Sequence, residues 1–159
     1  MAHYLIVAGS FGVLLLLVTS IGFADKPGER RYRALIDLTS TTEQQWASML
    51  NSVENLQKAL GAEAVQIEVV VHGKALGLLR ADRRRPDKAV QGDADAAPAL
   101  QKRLEQLSDA GVVFAACENT MKREGVSKQD LLPFARTVDS AVAELVRRQS
   151  EGWAYVKPG

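Results

Sequence analysis

Cysteine is the scarcest reactive residue in this chain: Cys117 is the only one in 159 residues, and just two histidines, His3 and His72, accompany it. A single cysteine excludes an internal disulfide. Zinc or copper sites need several thiolate or imidazole ligands at close spacing, so no metal and no cofactor is expected. Aromatic residues make up 6% of the chain, and 20 basic side chains nearly cancel 19 acidic ones. No basic stripe interleaved with aromatics is present, so nucleic acid is not an expected partner. The chain also has no C-x-x-C dithiol, no G-x-x-x-x-G-K-[ST] phosphate loop and no G-x-S-x-G elbow. His72 and Asn119 have the residue types to complete a cysteine-protease set, but their surroundings match no signature of that chemistry. A self-contained enzyme would have little to work with here.

One long hydrophobic run is present, over residues 4–23, and Gly22-Phe23-Ala24 followed by Asp25 gives it the small-x-small ending of an export signal. The run predicts a signal peptide over residues 1–24 or, if it is retained, a membrane anchor over residues 4–23. Either form places the body outside the cytoplasm, in the periplasm or beyond, and this segment is the only expected contact with a membrane. Residues 25–31 then read as a linker and residues 32–159 as a single domain, long enough to bury its own core.

Within that domain the hydrophobic period switches repeatedly between two and about 3.6, which predicts alternating strands and helices. Residues 32–38 (YRALIDL) read as a strand. Ser40 and Glu43 suggest a capping box for a helix that buries Trp46, Met49, Leu50, Val53, Leu56 and Leu60 and stops at Gly61. The β-branched run at 65–71 (VQIEVVV) fits a strand covered on both faces, ended by His72-Gly73. Residues 75–79 form a short apolar turn, and a long loop follows that carries Arg80, Arg83, Arg84 and Arg85. A helix over 99–110, a strand over 112–116 and a short helix over 118–124 come next, with Gly111 and Gly125 as stops. Ser127 and Asp130 predict a capped turn that ends at Pro133, and a brief strand is expected near 134–138. Asp139 is the expected cap of a last helix, whose buried side reads as Val142, Leu145 and Val146. Residues 153–157 (WAYVK) close the chain as a fifth strand. This order predicts an α/β fold in three layers, α/β/α, with a mainly parallel sheet.

Open α/β sheets bind ligands at the carboxyl ends of their strands, and both His72 and Cys117 stand at such ends. If the first strand lies between the second and third, the segment 37–42 separates these two residues within one cleft. A cysteine that opens a helix feels unpaired N–H groups favouring the thiolate; free cysteines are also common core residues, and both readings stand. His72 reads either as a proton shuttle or as a ring satisfied by nearby backbone. The arginines at 80, 83, 84 and 85 read either as a solvated loop or as a docking patch for an anion or an acidic partner. Trp153 and Tyr155 read as core or subunit contacts rather than as a stacking platform.

The run Cys117-Glu-Asn-Thr-Met-Lys-Arg-Glu-Gly-Val126, together with VVVHGKAL at 69–76, DLLP at 130–133, VAEL at 142–145 and EGWAYVKP at 151–158, resembles the DsrE/DsrF-like family. The match spans roughly residues 32–158. The resemblance implies a five-stranded, largely parallel sheet (DsrEFH-like) and assembly as a homo-oligomer, a dimer, trimer or hexamer. It further implies that Cys117 carries sulfane sulfur as a persulfide between a donor and an acceptor protein, with His72 as a neighbour of that site. The alternative is a non-catalytic oligomeric binding module in which Cys117 is buried and structural.

Overall fold

A computed structural model of the chain describes residues 32–81 and 96–158; the apolar run at 4–23 expected to direct export, the expected 25–31 linker, Arg83, Arg84 and Arg85 lie outside the described residues. The element order is β1 (Tyr32–Leu38), α1 (Glu43–Leu60), β2 (Val65–Val71), a 3₁₀ helix (Gly73–Leu79), α2 (Ala96–Asp109), β3 (Val113–Cys117) and α3 (Glu118–Glu124). A 3₁₀ turn (Lys128–Asp130), β4 (Arg136–Val138), α4 (Ala141–Ser150) and β5 (Ala154–Val156) complete it. The five strands form one sheet in the order β4-β3-β2-β1-β5, and every pairing is parallel. This is the expected three-layer α/β/α fold.

Helix placement follows from strand order and handedness. Each right-handed crossover that steps the same way across the sheet drops its helix on the same face. The steps from β1 through β4 all run one way, which gathers α1, α2 and α3 over one face. The last step returns past three strands to place β5 beside β1, and this reversal puts α4 on the opposite face. Side chains sort accordingly. Ala34, Ile36 and Leu38 of β1 join Ile67, Val69 and Val71 of β2 in the main core with Trp46, Met49, Leu50 and Val53 of α1. Leu35 and Val70 point the other way and pack with Cys117, Ala141, Leu145 and Trp153 in a smaller core under α4.

Several expectations change. β1 does not lie between β2 and β3; β2 is the middle strand and touches both, so no segment separates His72 from Cys117. The cap of α1 is Thr42, whose Oγ1 accepts the Gln45 N–H at 3.2 Å, while the Ser40 carbonyl is taken by Trp46 Nε1 at 2.8 Å. The cap of α4 is Ser140 rather than Asp139, with its Oγ accepting from Ala143 N–H.

The largest correction concerns the buried side of α4. Val142 and Val146 are 65% and 63% exposed, while Ala141 and Glu144 are buried and Leu145 is partly so. Charge pairing explains the inversion. Glu68, fully buried on the middle strand, lies beneath α4 and is bonded by Arg136 Nη2; Arg148 Nη2 stands 2.8 Å from its other oxygen. Glu144 joins the same cluster through Arg136 at 2.6 Å and Arg147 at 2.6 Å. Buried charges persist only when paired, and this cluster draws the polar stripe of α4 inward. Arg148 also covers the Trp153 ring, 4.7 Å from its centroid.

Candidate functional site

The site is assembled where β1, β2 and β3 end. Asp37 points to the α4 face, since its neighbours Ile36 and Leu38 point into the main core and side chains alternate along a strand. His72 keeps an extended backbone, φ −148° and ψ 175°, so it continues that alternation beyond Val71. Parallel register pairs Val70 with Ala115 and Val71 with Ala116. One further step sets His72 beside Cys117 on the same face, with strands about 5 Å apart.

Cys117 is 5% exposed and ends β3 as the N-cap of α3. Its Sγ accepts the Ala141 N–H at 3.3 Å, the first amide of α4. Burial pushes the thiol up, but N–H groups of Thr120, Ala141 and Asn119 and the Thr120 hydroxyl favour the thiolate, so the group lies below its ordinary value. Two helix starts therefore serve one sulfur. Glu118, the adjacent carboxylate, does not oppose this strongly, because it is drawn away to Thr137 Oγ1 at 2.7 Å and Lys128 Nζ at 3.2 Å.

Thr120 links the thiol to the middle strand. Its Oγ1 accepts the Gly73 N–H at 3.1 Å. Gly73 has φ +58°, a left-handed backbone that disfavours other residues, and this turn aims the amide. The residue after His72 is thus tied to the residue that donates to Cys117.

Asp37 is nearly buried and fully engaged. His72 Nε2 lies 2.8 Å from Oδ1, the Tyr155 hydroxyl donates to Oδ2 at 2.8 Å, and Lys157 Nζ is 3.4 Å from Oδ2. Burial pushes its carboxyl up, and the bonds from His72 and Tyr155 outweigh that, leaving it below its ordinary value. An ionised carboxylate only accepts, so His72 Nε2 carries the hydrogen in this bond, and the neutral ring that fits it is the one with its lone pair on Nδ1.

His72 and Cys117, both expected at the site, are brought together. Arg80 is not. It ends the 3₁₀ helix that starts after His72, ~14 Å along its axis for seven residues. There it bridges to Leu131 and faces Asp130. Thr120, Ala141, Tyr155 and Lys157 are additions, while Asp37 opens the 37–42 segment already expected in the cleft. Asp37 carried a readable signal, as the one acid in the strand YRALIDL and close to its carboxyl end; the others depend on which strands and helices become neighbours. Among the described residues no group of acidic, histidine or cysteine side chains is arranged to hold a metal ion.

The family model for the DsrE/DsrF-like family matches residues 33–158. The chain belongs to the DsrE/DsrF-like family. A solved structure, the protein of unknown function MTH1491 from Methanobacterium thermoautotrophicum, is similar to this DsrE/DsrF-like chain at 31% identity and TM-score 0.66. The likeness covers 80% of this chain and 99% of that one. No curated protein matches. The family is one linked to sulfur relay.

Proposed function

We propose that this protein is an exported sulfur carrier that holds sulfane sulfur as a persulfide on Cys117. The observation that carries the reading is the thiol's set of donors: amides from the starts of α3 and α4 and the Thr120 hydroxyl, all of which favour the nucleophilic thiolate. The apolar run at 4–23 supports export, and the exposed Val142 and Val146, one turn apart on α4, support assembly into a homo-oligomer. Donor and acceptor would be other thiol proteins outside the cytoplasm.

The test is intact mass after incubation with a polysulfide. The folded protein should gain sulfur, and Cys117→Ser should gain none while keeping the same circular dichroism. A wild-type protein that gains no sulfur, or a Cys117→Ser variant that gains as much, ends the proposal. The depth of Cys117 favours a second reading, a non-catalytic oligomeric module with a structural cysteine. In that case the thiol stays silent to alkylation until denaturant is added.

A further inference from the structure

We infer that Asp37 and His72 form a proton-handling pair for Cys117, in which His72 Nδ1 takes the thiol proton and Asp37 sets the tautomer that leaves Nδ1 free to do so. The pair deepens the sulfur-carrier reading and rests on it only where sulfur transfer is concerned.

Three features of the geometry carry the inference. First, the β2–β3 register sets His72 next to Cys117 on the same sheet face, and no hydrogen bond joins the two side chains. Second, His72 Nδ1 bonds nothing among the described residues, whereas Nε2 is held by Asp37. Third, Asp37 is anchored beyond what the end of a strand requires. Tyr155 and Lys157 occupy Oδ2, which commits Oδ1 to the imidazole. An oriented carboxylate behind a ring nitrogen, with the opposite nitrogen bare and a cysteine at the adjacent register position, is an arrangement suited to nucleophile activation. Gly73 and Thr120 keep the two halves in register, because the amide next to His72 bonds the residue that donates to the sulfur.

Other charged groups surround Cys117 without competing for its proton. Glu118 is bonded to Thr137 and Lys128. Lys157 from the end of β5 is bound to Asp37. Lys122 and Arg123 in the last turn of α3, and Asp139 before α4, are exposed. His72 is the titratable side chain that the register puts at the thiol.

The step balances without an oxidant. The Cys117 proton moves to His72 Nδ1, giving thiolate and imidazolium. The thiolate attacks the outer sulfur of a persulfide donor, R–S–S–H. The donor's S–S bond breaks as a new S–S bond forms at Cys117, and the departing R–S⁻ takes the proton back from the imidazolium. Net, a Cys117 thiol and a donor persulfide become a Cys117 persulfide and a donor thiol. Asp37 is a positioning residue in this scheme.

The experiment measures the rate of native Cys117 alkylation by iodoacetamide against pH for the wild type, His72→Gln and Asp37→Asn, alongside sulfur uptake from a persulfide donor. In both variants alkylation near neutral pH should fall about tenfold, with the midpoint of the profile moved upward, and sulfur uptake should slow by a similar factor. Unchanged profiles in folded variants overturn the inference; if the wild type still gains sulfur, the carrier reading survives that result. Nitrogen chemical shifts of the wild-type His72 ring give a second readout that needs no variant to fold. A proton on Nε2 and a bare Nδ1 are expected, and a ring protonated on Nδ1 alone overturns the pairing.

Discussion

Asp37 and Tyr155 lie 118 positions apart in the chain, and a 2.8 Å hydrogen bond from the phenol to the carboxylate joins them. The bond connects the end of β1 to the last strand, and its charged acceptor makes it stronger than a neutral pair. Tyr155→Phe should cost about 1 kcal/mol, less than a buried bond to a charge, because the ring is half exposed. Urea unfolding of the two proteins checks this; equal midpoints would mean the bond contributes nothing.

The Asp37 carboxyl lies below its ordinary value in the folded protein. Its stabilising contribution is therefore complete above the unfolded value, near 3.8, and is lost as pH falls through the lower folded value. The stability gap between wild type and Asp37→Asn should shrink on going from neutral pH to below that value. A gap that holds constant down the acid limb would contradict the assignment.

Glu144 and Glu68 titrate in opposite senses. Burial pushes both up; in Glu68 it prevails, while bonds from Arg147 and Arg136 hold Glu144 down to about 2. The Glu144 contribution is present above its unfolded value of 4.5 and disappears as pH drops towards about 2. Glu144→Gln should flatten the loss of stability across that window, measured by denaturant unfolding at several acid pH values. A slope matching the wild type would refute it.

Arg136 bonds the fully buried Glu68 and, at 2.6 Å, Glu144. Arg136→Met strands the Glu68 charge with Arg148 as its remaining partner and should cost about 2–3 kcal/mol, below the range for a wholly buried pair because Arg136 is partly exposed. Adding Glu68→Gln should return part of that loss. If the double variant is as unstable as the sum of the singles, the two residues do not act together.

Val142 and Val146 are exposed positions on α4, so replacing both by Asp should leave monomer stability within about 0.5 kcal/mol. If α4 forms the assembly surface, light scattering will register a smaller particle for this double variant. A particle of unchanged size removes these two residues from the interface.

The alternation of strands and helices was legible because apolar period survives in the sequence wherever a face is buried. Trp46, Met49, Leu50 and Val53 follow the helical rule, and VQIEVVV is apolar but for Gln66 and Glu68 because both of its faces are covered. That same rule failed on α4. Its inward residues include Glu144 and Arg148, acceptable inside only because Glu68 and Arg136 meet them, and pairing across 68 positions leaves no local trace. The neighbourhood of Cys117 divides in the same way. Its place at a strand-to-helix junction is local and readable. The amide from Ala141 and the Asp37–Tyr155 bond depend on strand order, which no single stretch encodes.

The return of β5 to the far edge of the sheet has a consequence for the order of assembly. β1, β2 and β3 each pair with the next strand in sequence, but β5 must close a loop that spans almost the whole domain to reach β1. Closing long loops is entropically slow, so the clamp on the Asp37 carboxylate should form after the β2–β3 pairing around Cys117. The amides of β5 are then the last to gain protection during refolding, and the protein passes from a chain with a sheltered thiol to one with its proton acceptor locked in place.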